Sequence, residues 1–189
     1  QSFITEGSIC HYSWYVPHDV DALVERMGGK AEFERRLDMM FALNDSSSAA
    51  RLLYWHGNEP CHQIPFLYSY IGKPEKTKRV VDNILKTEYN DTPGGLSGND
   101  DAGQMSAWYM FAAMGFYPVC PSTPYYIIGA PSLDRVTFNL ENKKQFEIIR
   151  QKSINNSNFV RLILNGKQLD NCQLSHGDII NGGKLIVKE

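Results

Sequence analysis

The chain has 189 residues, of which 42% are apolar and 21% charged, with a formal net charge of −2. That length allows one domain or two small ones around a sizeable core, and the balance is ordinary for a globular protein. Near-neutral charge gives no polyanion-binding surface, so nucleic acid is not an expected partner, and no apolar run approaches the ~20 residues of a spanning helix.

The first two thirds read as helices. Asp19 can cap a helix carrying Leu23, Val24 and Met27, which Gly28-Gly29 ends. Phe33, Leu37, Met40 and Phe41 then form one apolar stripe at helical spacing. The segment 74–89 opens on Pro74 and predicts burial of Val80, Val81, Ile84 and Leu85. Residues 104–116 are apolar on nearly every side, with Met105, Trp108, Tyr109 and Ala112 on one face, so this helix is expected inside a larger helical array.

From about residue 124 the period falls towards two. Strands are predicted over 125–128, 135–140, 145–149, 159–164 and 184–187, separated by turn formers such as Asn165-Gly166 and Asn181-Gly182-Gly183. The expected fold class is mainly α followed by β, with a helical region over 1–123 and a small antiparallel β module over 124–189.

Cys10, Cys61, Cys120 and Cys172 show no CxxC pairing and give neither a zinc signature nor a dense disulfide framework. Sequons at Asn44, Asn90 and Asn155 are triplets of a kind that chance often supplies. The chain starts without Met and without a basic-then-apolar leader, in what reads as structured sequence; a piece of a longer polypeptide is the expectation.

Three stretches concentrate glycine, aromatic and acidic residues. In the first, Glu6 precedes Gly7 and the aromatic run that contains Trp14 and Tyr15. A carboxyl packed on such rings loses hydration and becomes a proton donor near neutral pH. Taken singly, the same glutamate reads as a cap or a surface residue, and the aromatics as core. In the second, 55–62, His56 and His62 flank Glu59 without the HExxH spacing, and Gly57 and Pro60 interrupt a helix, so zinc is disfavoured. Asn58 and Glu59 instead offer hard oxygens of the kind calcium prefers, and Trp55 offers a face for a sugar or for the core. In the third, 93–104, glycines surround Asp100 and Asp101 ahead of the apolar helix. Asp101 with Gln104 fits a capping-box variant, and an aspartate there serves as a base, a calcium ligand or a cap alone. No Walker-type Lys-Ser/Thr follows the glycines.

Together these stretches resemble glycoside hydrolase family 92, the calcium-dependent exo-α-mannosidases. The match runs through Glu6-Gly7, Trp14-Tyr15-Val16-Pro17-His18-Asp19 and His56-Gly57-Asn58-Glu59-Pro60. It is most specific over 98–109 and continues to Gly115-Phe116-Tyr117-Pro118-Val119. Where the family commonly follows Glu-Gly with Asn and then a Trp-Gln pair, this chain has Ser8, Cys10 and His11. The resemblance implies the C-terminal helices of an (α/α)₆ barrel, with a β-sandwich domain and further barrel helices lying upstream. It implies inverting hydrolysis of terminal α-linked mannose, α-1,2 linkages expected, from mannosides or N-glycans. Glu6 would be the general acid and Asp101 the general base, Asp100 assisting, the pair roughly 6.5–9.5 Å apart to admit water. Calcium would be held partly by Asn58 and Asp101, with Trp55, His56 and Glu59 at the sugar, in a bacterial periplasmic or extracellular setting. A non-catalytic carbohydrate-binding fragment and a zinc hydrolase built on His56 and His62 are the alternatives.

Overall fold

The computed structural model describes residues 4–42, 53–152 and 160–189. Asn44, Asn155 and the first residue of the strand expected from 159 lie outside them. The helices are α1 (Ile9–Tyr12), α2 (Val20–Arg26), α3 (Lys30–Met40), α4 (Leu67–Tyr70), α5 (Pro74–Thr87) and α6 (Gln104–Met114), with 3₁₀ turns at Glu59–Cys61 and Ile64–Phe66. Asp19 caps α2 through a bond from Ala22 N–H, as expected, because its side-chain oxygen meets one of the first unpaired amides. Pro74 opens α5, where its missing N–H costs nothing.

The helical core gathers the stripes of these elements: Leu23 and Val24, Phe33, Leu37 and Met40, Val80, Val81 and Ile84, and Trp108 and Ala112. Leu85 and Phe41 pack against it from its partly buried margin. The expectation that α6 is enclosed holds for one side only. Met105, Trp108, Ala112 and Ala113 are buried, while Tyr109 and Met110 stand 41% and 57% exposed.

Downstream lie β1 (Phe116–Tyr117), β2 (Tyr125–Ile128), β3 (Arg135–Asn139), β4 (Gln145–Gln151), β5 (Arg161–Leu164), β6 (Lys167–Gln168), β7 (Gln173–Ser175), a short α7 (His176–Ile180) and β8 (Gly183–Lys188). They form a three-stranded sheet, β1-β2-β7, and a five-stranded sheet, β3-β4-β8-β5-β6. The smaller sheet is the wall between two cores. Neighbouring strand residues face opposite ways, so the register pair Tyr117–Ile127 joins the helical core while Phe116–Ile128 joins the β core of Phe146, Ile148, Leu162, Leu174, Leu185 and Val187. The expected boundary at 123–124 falls in the turn between these two strands.

The expectation of an antiparallel module needs correcting: β4 and β8 pair in parallel from Phe146–Gly183 to Gln151–Lys188. The strands between them in sequence let the chain return to the same edge, so β8 enters beside β4 with β5 on its other side, antiparallel. Asn165-Gly166 makes the predicted tight turn, with φ of 49° and 85° at its two residues, which fits the left-handed pair such hairpins use.

Candidate functional site

The three sequence stretches converge at one end of the helical core. Glu6 lies on the loop before α1, exposed, with φ of 63°. Two side chains reach back to that loop. Tyr12 hydroxyl donates to Thr5 carbonyl at 2.8 Å, and Asn58 Nδ2 donates to Glu6 carbonyl at 2.8 Å across 52 residues of sequence. Gly7 is the residue that lets them in, since a Cβ there would stand 2.6 Å from the Tyr12 ring. The packing of Glu6 against aromatic rings is not found: Glu6 is exposed, and Trp14 lies edge-on against Phe33, with ring centroids 5.2 Å apart, in the core.

Asn58 is buried, and its loop meets the glycine-rich loop backbone to backbone. A Cβ on Gly98 would fall 2.6 Å from Gly57 carbonyl oxygen, and one on Gly57 2.8 Å from Ser97 carbonyl oxygen. A side chain at either position would run into the facing backbone, so glycine at 57 and 98 is what permits the second and third stretches to touch. Trp55 is 42% exposed beside Gly57, and Glu59 opens the first 3₁₀ turn, half-buried.

The histidines do something the sequence does not reveal. His56 is buried, its ring 4.2 Å from that of Trp108. Tyr89 spends its single proton on Met105 carbonyl at 3.1 Å, so the 2.6 Å contact between Tyr89 oxygen and His56 must be given by Nε2–H. Nδ1 then accepts from the Tyr54 hydroxyl at 2.8 Å. His62, equally buried, donates from Nε2 to His56 carbonyl at 2.9 Å and accepts at Nδ1 from Gln104 Nε2 at 3.1 Å. Trp108 Nε1 closes the set on His62 carbonyl. Burial pushes His62 down to about 4, against the opposing pull of the His56 carbonyl, and burial together with the neighbouring His62 takes His56 down to about 2. Both are neutral with both nitrogens engaged. His56 therefore stands behind the site rather than open to a sugar, and the zinc reading has no free imidazole pair.

The network ends on the first turn of α6. There the capping-box expectation fails. Gly103, not Asp101, is the N-cap residue, with no side-chain cap, and Gln104 reaches His62 and Tyr117 instead of turning back. Asp100 supplies the cap from further away, its Oδ1 accepting from Ser106 N–H at 3.1 Å and Ser106 Oγ–H at 2.7 Å. Asp101, Ala102 and Gly103 follow with φ of 49°, 55° and 96°, three left-handed residues in series that lift Asp101 into solvent. Each such non-glycine residue costs on the order of 1 kcal/mol.

Among the described residues no three His, Cys, Asp or Glu side chains gather as a metal-binding group. The oxygen donors on these loops, the Asn58 amide and the 100–101 carboxylates, suit a hard cation chemically but are fewer than the six to eight ligands calcium takes. His11 Nε2 and Ser97 Oγ, in the first and third stretches, are buried without a hydrogen-bond partner among the described residues. The sequence marks His11 only as a departure from the family pattern and Ser97 not at all, since nothing local shows a polar atom to be unpaired. A groove of about 1000 Å³, lined by Trp55, His56 and one side of α5, includes neither Glu6, Asn58 nor Asp101. The convergent loops, not that groove, hold the candidate residues.

Residues 1–188 match the model of the glycosyl hydrolase family 92 catalytic domain. Among curated proteins the chain is similar to an uncharacterized secreted glycosidase of Arthroderma benhamiae, 32% identical over 184 residues, covering 95% of this chain and 23% of that protein. Among solved structures it resembles a family GH92 α-mannosidase of Bacteroides thetaiotaomicron at 42% identity and a TM-score of 0.82, over 98% of this chain and 25% of the other. A GH92 inverting mannosidase of the same species matches at 35% identity and 0.79, over 97% and 27%. The chain thus spans about a quarter of the length of these relatives.

Proposed function

The chain belongs to glycosyl hydrolase family 92, and from that premise we propose that it is the C-terminal portion of a longer exo-α-mannosidase, carrying both carboxylates of the reaction. Glu6 protonates the glycosidic oxygen as its bond to the anomeric carbon breaks. Asp101 takes a proton from a water that attacks that carbon from the opposite face. The products are mannose of inverted configuration and the free alcohol, with α-1,2-linked mannosides or N-glycans as substrates. Upstream barrel helices and a β-sandwich domain complete the pocket of an (α/α)₆ barrel.

The observation that carries the reading is backbone strain. Both carboxylates sit at left-handed residues, on loops that Asn58 and the Gly57–Gly98 contact draw together. Strain of this kind concentrates at functional sites. That solved relatives are described as mannosidases, one of them inverting, supports the substrate and the stereochemistry. Calcium would be held partly by the Asn58 amide oxygen and an Asp101 oxygen, where it would supply charge that orients sugar hydroxyls. Glu59 and Trp55, beside that position, are the proposed sugar contacts, with His56 supporting them from behind. A secreted relative and the absence, among described residues, of a helix able to cross a membrane accord with an extracellular or periplasmic setting.

The test is mannose release by the full-length parent, with the anomer formed first read by NMR. Glu6→Gln and Asp101→Asn should each lower kcat by about 10²–10⁴-fold, and EDTA should abolish turnover until calcium is returned. Unchanged turnover in Glu6→Gln would remove the acid assignment. Mannoside binding by a parent that still turns over as Asp101→Asn would leave this region a carbohydrate-binding element.

A further inference from the structure

We infer that Asp100 is a positioning residue and not a second base. It locks the first turn of α6 so that the strained loop holds Asp101 in place. This rests on the assignment of Asp101 as base.

The two aspartates are neighbours in sequence but their surroundings differ. Asp100 is half-buried, and one oxygen, Oδ1, accepts both the amide and the hydroxyl of Ser106. Its carbonyl also takes Met105 N–H at 3.1 Å. Ser106 is the third residue of α6, so its amide is one of the donors a helix start leaves unpaired. An ordinary cap sits three residues before that amide. Here the interval is six, because Asp101, Ala102 and Gly103 are inserted as a left-handed arch. Asp100 and Ser106 are therefore the two feet of the arch, and Asp101 is near its crown.

The other residues of the turn are tied elsewhere. Gln104 holds His62 and Tyr117, and Met105 carbonyl is held by Tyr89 and through it by His56. Those ties fix the helix. The Asp100–Ser106 side-chain bonds, together with Met105 N–H on Asp100 carbonyl, tie the helix to the residue that starts the arch. Asparagine retains the oxygen acceptor without the charge and caps helices about as well as aspartate. Alanine retains neither.

The experiment compares Asp100→Ala, Asp100→Asn, Ser106→Ala and Asp101→Asn in the full-length parent, by steady-state kinetics and by hydrogen exchange of the 104–108 amides. Asp100→Ala should lower kcat roughly 10–100-fold with KM within about threefold, the loss expected of a misplaced group, and should deprotect those amides. Asp100→Asn should recover at least tenfold of that loss and restore protection. Ser106→Ala should fall between the two, and Asp101→Asn should lower kcat by about 10²–10⁴-fold with protection unchanged. If Asp100→Asn is as inactive as Asp101→Asn while protection is intact, the Asp100 charge itself is needed and the positioning role is overturned. If Asp101→Asn is active, it is the base assignment that falls, and the exchange data still report whether Asp100 holds the arch.

Discussion

The two carboxylate loops reach the same backbone conformation by different means. The Glu6 loop is held from outside, by Tyr12 and Asn58 donating to its carbonyls. The Asp101 loop is held from below, by a helix whose first three residues each have a separate tether to a buried polar network or to Asp100. A carbonyl can be released by changing one donor. A helix start tied at three points yields only when its foundation does. The comparison predicts that acid and base can be loosened independently, and the perturbations below are ordered by how much they should disturb.

The largest is acid. His56 and His62 have folded-state values near 2 and near 4, below the unfolded value of about 6.5, so the unfolded chain binds protons first. The stability they contribute is complete above pH 6.5 and is lost as pH falls from there, towards 4 for His62 and towards 2 for His56. By pH 5 the loss is about 2 kcal/mol for each histidine, since each unit below the unfolded value is worth about 1.4 kcal/mol. Hydrogen exchange of the parent, corrected for intrinsic rates, should show 104–108 losing protection between pH 7 and pH 5 more than the α1 amides do. Equal behaviour of the two regions would mean that the network is not the foundation of the base loop.

Gly98→Ala comes next. Its Cβ would meet Gly57 carbonyl oxygen at 2.6 Å, and backbone cannot step aside as a side chain can. A loss of about 2–3 kcal/mol is expected, at the upper end for overpacking, read as a fall in Tm of the parent. Because this contact joins the Asp101 loop to the Asn58 loop, and Asn58 in turn holds Glu6 carbonyl, both the Glu6 and the Asp101 regions should gain exchange. Loosening of one alone would show that the loops are held independently of each other.

How much of this could be read from the residues follows from range. The cap at Asp19, the stripe of Phe33, Leu37 and Met40, the opening at Pro74 and the Asn165-Gly166 turn are decided within four residues, and all appear where expected. The parallel pairing of β4 with β8 is set by which edge is free when β8 arrives, information absent from either strand. The same holds at the site. The proximity of Asp100 and Asp101 to a helix start was legible. Which of them caps it was not, because the left-handed arch stretches the interval from three residues to six. His56 and His62 flank a glutamate, which invites a zinc reading that the missing HExxH spacing already disfavours. Only their tertiary partners, Tyr54, Tyr89 and Gln104, show the ring nitrogens already engaged.

The smallest perturbation is the most selective. Asn58→Ala removes the donor to Glu6 carbonyl while leaving Gly57, Gly98 and α6 untouched. Stability should fall by about 1–2 kcal/mol, the worth of one partly buried hydrogen bond and its packing. The activity loss should exceed what that figure implies, because the strained Glu6 backbone at φ 63° would relax towards an ordinary conformation and turn the acid away. Asn58→Asp separates the two uses of this residue. It retains an oxygen for a cation but sets a carboxylate against the Glu6 carbonyl, so it should restore calcium-dependent stabilisation in a thermal shift without restoring kcat. Recovery of both would place the value of Asn58 in metal binding alone, and the Glu6 loop would then need another explanation for its conformation.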